Sequence, residues 1–118
     1  MLRLVILVML LLAPVSSWAE TRLLMLDQTA CEWCERWDTE VGVVYSKTAE
    51  GKRAPLLRSN ISEPIPEGIA LARRAHFTPT FVLVKDGAEV GRIEGYPGED
   101  FFYGMLQQML DRAQKPES

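Results

Sequence analysis

Histidine and cysteine are nearly missing from this chain, which has one His and two Cys among its 118 residues. Two cysteines are too few for the disulfide mesh that stabilises small secreted scaffolds. An excess of one sign of charge is missing as well. Thirteen Lys and Arg against sixteen Asp and Glu give a formal charge of −3, so no electrostatic footprint for a nucleic-acid backbone is present. No apolar run reaches the roughly 20 residues of a membrane-spanning helix, and no internal repeat or low-complexity tract is visible. What is there is globular: 47% hydrophobic and 25% charged residues exclude a disordered or collagen-like chain. The length suits one compact domain with very little catalytic chemistry to choose from.

The N-terminus reads as a secretory signal. Met1-Leu2-Arg3 leads into an apolar run from Leu4 to Ala13, Pro14 stops it, and Ser17-Trp18-Ala19 offers a small-x-small cleavage site. The expected organisation is therefore a signal peptide over 1–19 and one domain over 20–118. Removing the signal takes away Arg3 and no acid, leaving 13 − 1 = 12 basic against 16 acidic residues, a formal charge of −4. The implied location is outside the cytoplasmic membrane, where thiols meet oxidising conditions.

In the remaining chain, the apolar run Arg22 to Leu26 predicts a buried first strand. Cys34, Trp37, Val41, Val44 and Tyr45 recur at helical spacing, predicting a helix that Gly51 stops. Ala54 to Asn60 reads as a second strand, Ile61 to Gly68 as irregular, and Glu67 to Ala75 as a short helix. Thr80 to Val84 is the clearest strand, and Asp86-Gly87 turns it into a fourth over Glu89 to Gly95, where Gly91 marks a bulge. A last helix starts at Glu99-Asp100, with Phe101, Phe102, Met105, Leu106, Met109 and Leu110 as its core stripe. The fold class is α/β: a four-stranded mixed sheet, βαβ then ββα, with flanking helices.

Cys31-Glu32-Trp33-Cys34 lies where a strand has ended and a helix begins. A helix N-terminus favours thiolate over thiol, and the spacing puts both sulfurs on one face within bonding reach. The ring such a bond closes is tiny and constrains little of the unfolded chain. Exchange chemistry therefore explains the pair better than stapling does. A metal site would leave a tetrahedral ion short of ligands unless His76 or a second subunit contributed, and His76 reads as a surface loop residue. Phe77-Thr78-Pro79-Thr80 is the second informative stretch, its proline fixing how the chain enters the best strand.

These pieces together resemble the thioredoxin superfamily over Arg22 to Leu110. Three segments resemble more narrowly the SoxS-type proteins, periplasmic thioredoxins associated with bacterial sulfur-oxidation (Sox) systems: Cys31 to Trp37, Phe77 to Val84 and Gly91 to Glu99. The resemblance implies a thioredoxin-like fold and a cis bond at Thr78-Pro79, shaping a groove that receives the target chain. It implies that Cys31 attacks and Cys34 resolves. It also implies a role in keeping the carrier cysteine of the SoxYZ complex reduced, with electrons from a membrane thiol transporter of the DsbD or CcdA kind. Two departures stand out. Where cytoplasmic thioredoxins have a buried aspartate six residues before the first cysteine, this chain has Met25, and Asp27 lies off that position. The intervening pair is Glu32-Trp33 rather than Gly-Pro or the Pro-His of strong oxidants, and a carboxylate opposes thiolate formation.

The expected activity is protein-disulfide reduction by a monomeric enzyme through Cys31 and Cys34. Trp33, Thr78 and Pro79 would contact the target segment, and no metal or organic cofactor is required. The competing readings are a disulfide isomerase or oxidase, a copper or zinc carrier using Cys31, Cys34 and His76, and a non-catalytic adaptor that borrows the fold.

Overall fold

A computed structural model describes residues 20–115. The expected signal segment over 1–19 lies outside the described residues. Strand β1 (Thr21–Asp27) alternates its side chains between two cores: Leu23 and Met25 face one, Leu24 and Leu26 the other. It pairs in parallel with β2 (Leu56–Asn60) and antiparallel with β3 (Thr80–Lys85), which pairs antiparallel with β4 (Ala88–Glu94). The sheet order is β2-β1-β3-β4, the mixed sheet expected. Parallel pairing of β1 and β2 requires a crossover, which the helical segment between them supplies.

That crossover differs from the single helix expected. Helix α1 (Glu32–Trp37) loosens into a π-helical turn over Asp38–Gly42 and a 3-10 turn over Tyr45–Lys47. A separate helix, α2 (Ala49–Arg53), follows. Thr48 starts α2 because its side chain caps the Gly51 amide at 3.0 Å. The break turns Val44 outward, 44% exposed, while Trp37, Val41 and Tyr45 stay buried. Gly51 therefore does not stop a helix; it sits inside α2. A Cβ there would lie 1.8 Å from the Tyr45 carbonyl oxygen, so only glycine lets the two turns pack this closely. Gly51→Ala is expected to cost about 1–3 kcal/mol, read as a lower urea midpoint at unchanged slope.

The helix expected over Glu67–Ala75 is absent. Residues 61–75 form an irregular strap whose Ile61, Ile65, Ile69 and Leu71 cover Leu24, Leu26, Val82 and Val84. Among the described residues its one β-bridge to the sheet pairs Ala70 with Ala88. The hairpin is as expected: Asp86 and Gly87 both have positive φ, the geometry of a two-residue turn matched to strand twist. The bulge falls where Leu83 pairs with Gly91 and Val84 with Glu89, leaving Val90 as the extra residue. Gly91 has its own reason there, since a Cβ would meet the Met109 sulfur at 2.7 Å.

Helix α3 (Glu99–Gln114) closes the fold over the face that carries α1. It buries Phe102, Leu106, Met109 and Leu110 but exposes Phe101 by 71% and Met105 by 40%. The apolar stripe is thus narrower than its sequence spacing suggests. Trp37 centres this core, its ring 5.2 Å from Phe81, 5.8 Å from Phe102 and 6.0 Å from Tyr45.

Candidate active site

The site forms at the end of the sheet where β1 stops and β3 begins. Asp27 ends β1, and the chain turns through Gln28 to Ala30, the last with φ of 60°. A left-handed alanine is uncommon and costs energy; here it delivers Cys31 to the N-cap of α1. The Cys31 sulfur accepts a hydrogen bond from the Cys34 backbone N–H at 3.1 Å. Cys31 and Cys34 are disulfide-bonded, with S–S 2.11 Å and Cα–Cα 5.2 Å. Both are nearly buried, at 6% and 4% exposure, so a partner reaches this bond only at its rim.

The rim is apolar. Trp33 is 50% exposed with the Arg36 guanidinium 5.4 Å from its ring centroid, a cation–π contact that holds the indole at the surface. Phe77, 60% exposed, stands just before Thr78-Pro79. The Thr78-Pro79 peptide is cis, Pro79 is buried and Thr78 half-buried. Thr80 fixes this turn by donating its hydroxyl to the Phe77 carbonyl at 2.6 Å, and the Gly95 amide donates to the Pro79 carbonyl at 2.7 Å. Beside Trp33 a shallow groove is lined by Arg36, Glu40, Tyr96, Pro97 and Gly98. Burial pushes the Tyr96 phenol up to about 12, so it stays neutral. Glu40 is close enough to raise it further, although the geometry between them falls short of a hydrogen bond.

Asp27 is committed elsewhere. Its carboxylate takes two hydrogen bonds from Arg58, at 2.8 and 3.1 Å, and the same guanidinium pairs with Asp38 at 2.6 Å. Arg58 thus ties the middle of β2 to the ends of β1 and α1, and its register partner on β1 is the buried Met25. His76 is exposed. Among the described residues no group of three or more His, Cys, Asp or Glu side chains could hold a metal ion, so His76 is not gathered with the two cysteines.

Sequence reasoning named the cysteines, Trp33, Thr78 and Pro79 as site residues. It did not pick out the groove formed by Arg36, Glu40 and the Tyr96–Gly98 turn. The signal available was Gly-Tyr-Pro-Gly immediately after the last strand, a loop that has to fold back over the end of the sheet.

A four-stranded mixed sheet with a Cys-x-x-Cys pair heading its first helix and a proline turn entering the antiparallel strand defines a thioredoxin-fold thiol–disulfide oxidoreductase. Comparison with family models and with curated proteins finds no match. Solved structures do match. The periplasmic thioredoxin SoxS from Paracoccus pantotrophus, in its reduced form, is 49% identical, with 80% of this chain and 100% of that one covered and a TM-score of 0.79. A malaria parasite thioredoxin-2 (20% identity, 76% and 84% covered, TM-score 0.57) and the Malassezia sympodialis thioredoxin (19%, 78% and 76%, TM-score 0.55) share the fold. The chain belongs to the SoxS-type branch of the thioredoxin superfamily.

Proposed function

We propose that this thiol–disulfide oxidoreductase works in the periplasm as a reductase, with Cys31 as attacking thiol and Cys34 as resolving thiol. The observation that carries the reading is the Cys34 N–H aimed at the Cys31 sulfur at 3.1 Å, a donor placed on the atom that must bear negative charge. Cys31 thiolate attacks one sulfur of a target disulfide, forming a mixed disulfide and expelling a target thiolate, which takes up a proton. Cys34 thiolate then attacks the Cys31 sulfur and expels the second target thiolate. Two electrons and two protons pass to the target, and Cys31–Cys34 becomes the disulfide seen here.

Trp33 and the Thr78-Pro79 turn would flank the sulfurs and receive an extended target segment. The physiological target in this reading is the carrier cysteine of a SoxYZ complex. A membrane thiol transporter of the DsbD or CcdA kind would return the electrons. The identity to a periplasmic relative and the secretory signal read over 1–19 support export.

Equilibration against glutathione buffers tests the direction. A reductase is expected to lie near the thioredoxin potential of about −270 mV, and a value near about −120 mV, that of a strong oxidant, overturns the assignment.

A further inference from the structure

The segment that leads into Phe77, Thr78 and Pro79 is the last part of the irregular strap, and its backbone is held in an unusual way. Between the bridge at Ala70 and the Phe77 carbonyl, every hydrogen bond to the strap backbone among the described residues comes from two side chains of β4, Glu89 and Arg92. Arg92 donates to the Arg73 carbonyl at 2.7 Å and to the Arg74 carbonyl at 3.3 Å. Glu89 accepts the Ala72 amide at 3.2 Å.

The two side chains are themselves locked. Arg92 grips Glu89 through two bonds, at 2.7 and 3.0 Å, and touches Glu94 at 3.4 Å. Only 5% of the Arg92 side chain and 6% of the Glu89 side chain are exposed. Burial alone would raise the Glu89 carboxyl, but the Arg92 and Ala72 hydrogen bonds and the Arg92 charge outweigh it and hold Glu89 below its ordinary value. Arg92 pairs across the sheet with Val82, on the face that the strap covers. A buried guanidinium carries a large desolvation cost, and an apolar residue facing that strap would avoid it.

We infer that Arg92 is a positioning residue for target binding: with Glu89 it clamps strap residues 72–74, and so sets where the Phe77–Pro79 turn stands relative to the Cys31–Cys34 pair. The inference rests on the reading of this site as a protein-disulfide reductase. The clamp acts on the surface that receives a polypeptide and leaves the sulfurs untouched. Its loss therefore weakens recognition of a protein substrate and spares attack on a small one.

The test compares reduced wild-type protein with Arg92→Gln on two substrates, insulin and the small aromatic disulfide 5,5′-dithiobis(2-nitrobenzoate). The expected result for Arg92→Gln is roughly a tenfold lower kcat/KM on insulin, carried mainly by KM. Its rate with the small disulfide and its equilibrium with glutathione are expected to stay within about twofold of wild type, since the Cys31 environment is unchanged. If Arg92→Gln does not fold, Arg92→Lys takes its place: it keeps a cation beside Glu89 but loses the fork that reaches two carbonyls, and the same split, smaller in size, is expected. Insulin kinetics equal to wild type in the folded variant overturn the inference. An equal fall on both substrates overturns it as well, because that is the mark of general structural damage. A wild type inert toward both disulfides overturns the underlying reading and the inference with it, whereas an active wild type matched by its variant sinks the inference alone.

Discussion

Cys34→Ser is expected to turn the transient mixed disulfide into a stable covalent complex. Cys31 can still attack a target disulfide, but the serine hydroxyl in place of Cys34 cannot displace the target from the Cys31 sulfur. Incubating the reduced variant with periplasmic extract should yield complexes that run as higher-mass species on non-reducing gels and collapse with dithiothreitol. In the same extract Cys31→Ser should trap nothing. Its turnover on insulin should fall by at least about a thousandfold, since the nucleophile itself is gone. Capture by Cys31→Ser with none by Cys34→Ser would reverse the assigned roles. Recovery of a SoxYZ carrier subunit among the trapped proteins would support the proposed target directly.

The second large effect concerns the core beneath the site. Trp37 is fully buried on α1, one turn beyond Cys34, against Phe81, Phe102 and Tyr45. Trp37→Ala removes the largest piece of this cluster and is expected to cost about 3–5 kcal/mol, lowering Tm by roughly 15 °C or more in a domain of this size. Trp37→Phe should be far milder. The indole N–H is buried without a hydrogen-bond partner, so phenylalanine gives up contact area but also removes an unsatisfied donor. Thermal unfolding of both variants checks the difference. A Trp37→Phe protein as damaged as Trp37→Ala would mean that the N–H has a partner or that the ring shape is irreplaceable.

Much of this architecture was legible in the residues. The strands announced themselves because β3 is a continuous apolar run covered on both faces, and because Asp86-Gly87 suits few conformations other than a tight hairpin turn. The crossover helix was misread for a reason intrinsic to periodicity. Cys34, Trp37, Val41, Val44 and Tyr45 fit one helical face, yet close packing of Gly51 against the Tyr45 carbonyl breaks the segment and turns Val44 out. Spacing reports which face is apolar; it is silent on whether the backbone hydrogen bonds run unbroken. In the strap, Ile61 to Gly68 is irregular as expected, but the helix expected over Glu67–Ala75 does not form, because Ile69 and Leu71 fill the second core without any repeating conformation.

The site divides along the same line. Cys31 and Cys34 are three residues apart, so local sequence was enough to name them, whereas the role of Thr78-Pro79 came from the family resemblance. Nothing in the local sequence singles out Arg92 and Glu89 on the fourth strand. Only the strap folding over that face buries them and points the guanidinium at the Arg73 and Arg74 carbonyls. Asp27 illustrates the same dependence, since its partnership with Arg58, 31 residues away, exists only because β1 and β2 lie side by side. By itself the sequence determined the redox pair, the strand order's alternation with helices and the turn chemistry, because each of these rests on neighbours within one turn or one hairpin. Which charges are buried, which helix is broken and what holds the target-facing loop in place were decided by the tertiary structure. Those properties depend on desolvation and close approach between segments far apart in the chain, and neither quantity is written in any local pattern.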